Sequence, residues 1–189
     1  MNTSRAATRP VAAREAVTIR RALDASSWRG ARVLIREYAA SLAFSLDFQG
    51  FAHELETLRT EYGPPSGALH LARAGPRYAG CVALRRLDEE TCEMKRLFVR
   101  PAYRHLGLGR RLATGILGEA RRLGYRWMVL DTVPSMTAAI ALYRSLGFEE
   151  IPPYRFNPIP GAVYLRCTLG GAPGRMDSET PRAKGGRKV

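Results

Sequence analysis

Residues Arg104-His105-Leu106-Gly107-Leu108-Gly109 constrain this chain more than any other stretch. They carry an Arg-x-x-Gly-x-Gly pattern between an extended run, Cys92 to Val99, and a helical run ending near Leu123. Two glycines let a backbone turn tightly and approach a ligand without side-chain interference. The helix that follows opens with unpaired N–H groups and the positive end of its dipole, a combination that attracts phosphate. The sequence therefore predicts an anion cradle at a strand-to-helix junction.

The remaining pattern supplies a sheet for that junction. Ala16 to Arg21 alternates as a strand, and Asp24 to Ser27 provide capping residues for a helix from Trp28 to about Leu42. A second helix is expected from Phe51 to Thr60, stopped at Tyr62-Gly63-Pro64-Pro65. Leu69–Ala72, Tyr78–Leu87 and Thr91–Val99 follow with short connections, which favour an antiparallel meander. Beyond Pro101 the order becomes helix (Leu108 to Leu123), strand (Trp127–Thr132), helix (Thr137–Leu146) and two strands (Phe148–Ile151 and Val163–Leu169). A meander followed by a β-α-β crossover gives an α+β domain, a mixed sheet flanked by helices, over residues 16–169. Residues 1–15 read as a disordered leader, and residues 170–189, rich in glycine, proline and charge, as a disordered basic tail.

Composition narrows the function. A chain of 189 residues suffices for one full domain, and no apolar run approaches the ~18 residues of a membrane span. The net charge of +13 suits a polyanionic ligand. It is a weak nucleic-acid signature, because the charge is spread along the chain and no aromatic-basic RNA motif accompanies it. Of the 30 basic residues only Lys95, Lys184 and Lys188 are lysines, a skew of the kind that GC-rich coding produces. Cys81, Cys92 and Cys167 are odd in number and read as buried small hydrophobes in a reducing compartment. His53, His70 and His105 are too scattered for a metal site, so no metal is expected. The N-terminus has no acidic residue through Arg14 and the composition of a mitochondrial transit peptide. A bacterial-type leader is the plainer reading, so the cytoplasm is the expected compartment and the mitochondrial matrix the alternative.

The glycine turn does not meet the dinucleotide fingerprint, since position 112 is Leu, and there is no Walker lysine. Its neighbours are more specific. Glu93-Met94-Lys95-Arg96-Leu97-Phe98-Val99-Arg100-Pro101, then the Arg-x-x-Gly-x-Gly loop, then Ala139-Ile140-Ala141-Leu142-Tyr143-Arg144-Ser145-Leu146-Gly147-Phe148, occur in that order. Together they resemble the GNAT superfamily of acetyl-CoA-dependent N-acetyltransferases, over roughly Val17 to Leu169. The resemblance implies acetyl-CoA as acyl donor, with backbone N–H groups from about His105 to Arg110 (so including Leu106, Gly107, Leu108 and Gly109) gripping the pyrophosphate. Arg104 would hold either the loop or the anion. Leu97, Phe98 and Val99 would run beside the pantetheine arm, Leu97 and Val99 pairing with it, where two strands splay apart.

By the same resemblance Glu93 is a candidate general base, the alternative being a salt bridge to Lys95 or Arg96. Tyr143 is a candidate to protonate the departing thiolate or to hydrogen-bond its sulfur, the alternative being a tyrosine packed beside Leu146 and Phe148. Two positions depart from the family: His105 stands where Gly is usual, and Met136 where many members have an Asn that contacts the cofactor. Phe48, Asp131 and Arg155 are candidate acceptor contacts. Arg155 would take a carboxylate in bidentate fashion or stay a solvated loop arginine, and Asp131 would bind a cationic acceptor or simply end its strand. The function expected is acetyl transfer to a primary amine of a small molecule, by direct attack in a ternary complex. A non-catalytic acyl-CoA sensor or scaffold is the alternative. Relatives are often homodimers.

Overall fold

The computed structural model describes residues 16–170; the expected leader and most of the tail lie outside them. Strand β1 (Val17–Arg21) leads into helix α1 (Ala25–Ala40), a 3-10 turn (Asp47–Gln49) and two short helices, α2 (Phe51–Glu56) and α3 (Leu58–Tyr62). The meander is β2 (Ala68–Ala74), β3 (Arg77–Arg86) and β4 (Thr91–Val99). A 3-10 segment (Pro101–Leu106), α4 (Leu108–Arg122), β5 (Trp127–Thr132), α5 (Thr137–Ser145), β6 (Glu149–Glu150) and β7 (Val163–Thr168) complete the chain. The seven strands form one sheet in the order β1-β2-β3-β4-β5-β7-β6, antiparallel throughout except for the parallel β4–β5 pair. The expected mixed sheet is present.

Local chemistry sets most boundaries. Helix α1 begins three residues earlier than the spacing predicts, because Asp24 caps it: its side chain accepts from the Ser27 N–H while the Ser27 hydroxyl accepts from the Asp24 N–H. The helix expected over 51–60 is two pieces, broken at Thr57, whose backbone leaves helical geometry and whose hydroxyl donates to the His53 carbonyl at 2.8 Å. The strand expected over 148–151 shrinks to Glu149–Glu150 on the sheet edge.

Two hydrophobic clusters sandwich the sheet. On one face Leu108, Leu112, Ala113, Ile116, Leu117 and Ala120 of α4 pack with Val82, Leu84, Met94 and Met128. On the other, Ala31, Leu34 and Ile35 of α1 pack with Leu58, Tyr62, Leu69, Leu71 and Phe98. Strand β4 serves both faces, and it is irregular. Its register against β3 slips between Cys81 and Ala83, and Arg96 adopts a left-handed φ of 57°. This bulge costs about 1–2 kcal/mol in a non-glycine residue. Beside it, β4 and β5 pair only at Thr91↔Trp127, Cys92↔Met128 and Glu93↔Val129, and then separate. The split opens at the centre of the sheet.

Leu112→Ala empties a fully buried position beneath α4, and a loss of about 2–5 kcal/mol in urea denaturation is expected; a loss under about 1 kcal/mol would contradict the packing described.

Candidate active site

Helix α4 starts at Gly107, whose φ of 66° suits glycine and whose Cβ position faces open space. No side chain of the described residues caps this helix, and the first backbone N–H to reach back is Arg111, to the Gly107 carbonyl at 3.2 Å. The N–H groups of Leu108, Gly109 and Arg110 therefore face outward at the positive end of the dipole. His105 and Leu106 differ from expectation. They belong to a 3-10 segment, whose i→i+3 bonding turns N–H groups onto its own carbonyls, so the free donors begin later in the loop. Arg104 holds the loop rather than projecting into it: its Nε donates to the Val99 carbonyl at 3.1 Å. Arg110 reaches Ser145 Oγ at 2.8 Å and ties α4 to α5.

Beside this loop a groove of about 520 Å³ runs along β4, lined by Leu97, Phe98, Val99, Arg104, Ser135, Met136 and Leu142 among others. It shares Tyr38, Phe44, Leu97, Met136 and Ala139 with an inner cavity of about 70 Å³ at the strand split, so the two are one slot. Arg100 donates its N–H to Ala79 on β3 at 2.9 Å. By strand alternation Leu97 and Val99 then turn their backbone groups to the slot. Met136, at the start of α5, accepts from the Thr132 hydroxyl through its sulfur at 3.5 Å and borders both parts of the slot. Tyr143 also lines the inner cavity, its ring 5.7 Å from that of Phe148. Its hydroxyl has no partner among the described residues, and burial raises its pKa above the ordinary phenol value.

The bulge that opens this slot is clamped from the side. Arg96 forms a two-point ion pair with Glu54 of α2 (Nε–Oε1 2.8 Å, and Nη2 to Oε2), and both side chains are buried. The Tyr62 hydroxyl donates to the same carboxylate at 2.7 Å. The guanidinium lies 5.9 Å from the Tyr38 ring centre and 5.6 Å from that of Phe51. Burial alone would raise the Glu54 pKa, but Arg96 more than offsets it, and the carboxyl stays ionised with a lowered pKa.

A charged cluster lies just beyond the inner end of the slot, where Glu93 lines a separate groove with Arg85, Tyr154 and Arg155. Glu93 is 0% exposed and holds three cations: Arg85 Nε at 2.7 Å, Arg155 Nη1 at 3.1 Å and Lys95 Nζ at 4.0 Å. The Tyr154 hydroxyl donates to it at 2.8 Å. Burial pushes its pKa up, but Lys95, Arg85 and Arg155 outweigh that and hold it at about 2. Lys95 is thus a partner as the salt-bridge alternative has it, Arg85 and Arg155 stand closer and Arg96 is not one, and a carboxylate so engaged is a weakened proton acceptor. Arg155 is likewise committed to Glu93, with Asp131 at 4.0 Å. It borders that groove with Arg85, Trp127 and Arg166, not the inner cavity. Asp131 and Phe48 do line the inner cavity, and Asn157 Nδ2 donates to Asp131 at 2.8 Å. The cysteines are buried and line neither part of the slot, and burial raises the Cys81 thiol to about 12. Among the described residues no cluster of three His, Cys, Asp or Glu can hold a metal, and no helix is long and apolar enough to cross a membrane.

Lys95 and Glu54 escaped the sequence reading as functional residues. Lys95 entered only as a partner of Glu93, although the Glu-x-Lys spacing of a strand puts both on one face. It is also the only lysine before residue 184 in an arginine-dominated chain, and that was the available signal. Nothing in the pattern around Glu54 marked it as buried.

An uncapped helix start, a slot along a bulged strand and a split parallel pair define an acyl-CoA-dependent transferase of one fold. The Acetyltransferase (GNAT) family model matches residues 35–148. An uncharacterised N-acetyltransferase of Schizosaccharomyces pombe is 42% identical over 140 residues, covering 73% of this chain and 86% of that protein. A GNAT-family acetyltransferase structure from Staphylococcus aureus superposes with a TM-score of 0.67 at 22% identity, over 82% of this chain and 100% of that one. A Salmonella typhimurium structure with its cofactor acetyl-CoA superposes with a TM-score of 0.60 at 21% identity, over 82% and 94%. The chain belongs to the GNAT family and is an acetyl-CoA-dependent acetyltransferase.

Two outcomes follow from the buried charges. Glu54→Gln leaves Arg96 buried without a counter-charge, and a stability loss of about 3–5 kcal/mol by thermal or urea unfolding is expected, with weakened acetyl-CoA binding as the bulge relaxes; an unchanged melting curve would contradict the clamp. Glu93 has a folded pKa of about 2 against an ordinary 4.5. Its ionised form thus stabilises the fold fully above the ordinary value, and that stability is lost as pH falls from there toward about 2. Unfolding followed by circular dichroism across that acid window is expected to show a shallower pH dependence in Glu93→Gln than in the wild type.

Proposed function

We propose that this acetyltransferase transfers the acetyl group of acetyl-CoA to a primary amine of a small molecule, by direct attack within a ternary complex in the cytoplasm. One observation carries the reading: a single slot runs along the end of β4, from Arg104 and Leu142 to a small cavity at the strand split, and ends among Lys95, Asp131 and Asn157. The free N–H groups of Leu108, Gly109 and Arg110 suit a pyrophosphate. The slot-facing backbone of Leu97 and Val99 suits the amides of a pantetheine arm, which would add beside β4 as a further strand. The thioester would then sit at the split, within reach of Tyr143.

Direct attack is supported by the position of the cysteines, none of which borders the slot. A small acceptor is supported by the inner cavity's size of about 70 Å³ and by its walls of Phe44, Leu46, Phe48 and Gln49 from one side and Asn157 from the other. Asp131, held by Asn157, suits an ammonium group. The raised pKa of Tyr143 keeps its phenol protonated, which suits donation of a hydrogen bond to the sulfur as negative charge grows there. Free, buried thiols support a reducing compartment.

Thiol release from acetyl-CoA across a panel of primary amines tests the reading. Amine-dependent release is expected, whereas tight acetyl-CoA binding with no release for any amine would mark a non-catalytic acyl-CoA-binding module. Gly107→Glu places a carboxylate before the free N–H groups at a left-handed position, so calorimetry is expected to show acetyl-CoA binding abolished, and wild-type affinity would refute the cradle. Tyr143→Phe is expected to lower kcat by about tenfold or less, the effect of losing one hydrogen bond of roughly 1 kcal/mol, with acetyl-CoA affinity unchanged.

A further inference from the structure

Three cations converge on Glu93, and they are not equivalent. Arg85 and Arg155 are guanidiniums, which stay charged at any working pH. Lys95 alone can release a proton. It is also the least firmly held of the three, 4.0 Å from the carboxylate where the arginines stand at 2.7 and 3.1 Å. Its closest partner is the neutral Gln49 side-chain oxygen at 2.9 Å, which accepts one N–H and brings no counter-charge.

Lys95 lies on β4 two residues beyond Glu93, the last residue paired with β5, and so on the same face and inside the split. It is 6% exposed and lines the inner cavity with Tyr143, Asp131 and Asn157. The groups that face it come from every surrounding element. Glu93 and Arg96 belong to β4, Asp131 to β5, Tyr143 to α5 and Tyr38 to α1, while Gln49 and Phe48 come from the 3-10 turn and Asn157, Arg155 and Tyr154 from the loop before β7. Glu93 is shared with two arginines and Arg96 adds a like charge, so the field at Nζ is not strongly negative. Burial pulls the lysine down to about 8, with Glu93 and Asp131 opposing and Arg96 and Arg155 assisting.

We propose that Lys95 is the proton acceptor for the incoming amine, and that Glu93 serves to position it. The inference rests on the acetyltransferase reading above. The acceptor enters as an ammonium and passes one proton to the neutral Lys95 Nζ, leaving a free amine and a lysine ammonium. The amine lone pair forms the C–N bond to the thioester carbonyl carbon. The C–S bond breaks with its electron pair on sulfur, and the second nitrogen proton ends on that sulfur, giving an amide and the CoA thiol. Lys95 then returns its proton to water.

Lys95→Arg separates this role from a structural one, because arginine keeps the charge and cannot release the proton. With acetyl-CoA and a panel of primary amines (phenethylamine, spermidine and glycinamide), kcat of Lys95→Arg at neutral pH is expected to fall by about 10²–10⁴-fold. The alkaline rise of wild-type kcat near pH 8 should vanish, while acetyl-CoA affinity by calorimetry stays within about twofold. Wild-type turnover with that rise intact in Lys95→Arg overturns the proposal. A second readout needs no variant to be active: the Nζ signal of Lys95 in the isotope-labelled full chain, one of three lysines, is followed by NMR against pH. Titration near 8 supports the proposal, and a signal still protonated above pH ~10, the ordinary range of a lysine, overturns it. A wild type that binds acetyl-CoA but releases thiol with no amine defeats the acetyltransferase reading and this inference together, an outcome distinct from loss of the Lys95 role alone.

Discussion

An arginine in a left-handed conformation at the centre of a strand does not persist unless something fixes it, and here the fixing group is one carboxylate on another element. Glu54 of α2 grips Arg96 at two points, Tyr62 adds a third contact to the same oxygens, and two aromatic rings flank the guanidinium. The ion pair is buried, so its strength depends on complete pairing rather than on charge alone. What it secures is a shape. The bulge turns the end of β4 away from β5, and the gap between them becomes the slot at the centre of the sheet. Short helices of modest intrinsic stability are thereby tied to the geometry of the reaction centre.

The two halves of that slot work by different physics. The proposed donor half is made of backbone: free N–H groups at the start of α4 and the edge of β4 that β5 leaves. Oriented peptide dipoles recognise a diphosphate and an amide-bearing arm without requiring particular side chains. The acceptor half is made of side chains under electrostatic tension. One fully buried carboxylate organises three cations and a tyrosine, and the tension is borne unevenly, because only one of the cations is able to discharge.

Much of the architecture was legible because it is written in short-range pattern. Trp127–Thr132 reads directly as a strand, the stripe Leu108, Leu112, Ile116, Ala120 gives α4, and the tight connections around Gly75 and Asp88 give the meander. The glycine turn was legible for the same reason, as backbone geometry leaves its mark in glycine and proline, and an uncapped helix start stands there. Legibility failed where tertiary partners decide. The break at Thr57 depends on a hydroxyl competing with the helix, and the burial of Glu54 depends on Arg96, 42 residues away. Arg155 looked available for a ligand, yet Glu93 and Asp131 already hold it. Adjacency in sequence named Lys95 and Arg96 as salt-bridge partners of Glu93; Lys95 is one, but Arg85 and Arg155, from a neighbouring strand and a distant loop, are in closer contact.

This division of labour has an evolutionary consequence. A cradle of peptide groups tolerates drift in the residues that carry it, provided the turn keeps its glycine, so cofactor use is inherited almost passively. The opposite wall, at Phe48 and Asn157, consists of side chains of a 3-10 turn and a loop that lie outside both core clusters. Changes there can retune which molecule is modified without disturbing the machinery that delivers the acyl group, and a lineage built on this plan is free to diversify its chemistry of recognition one loop at a time.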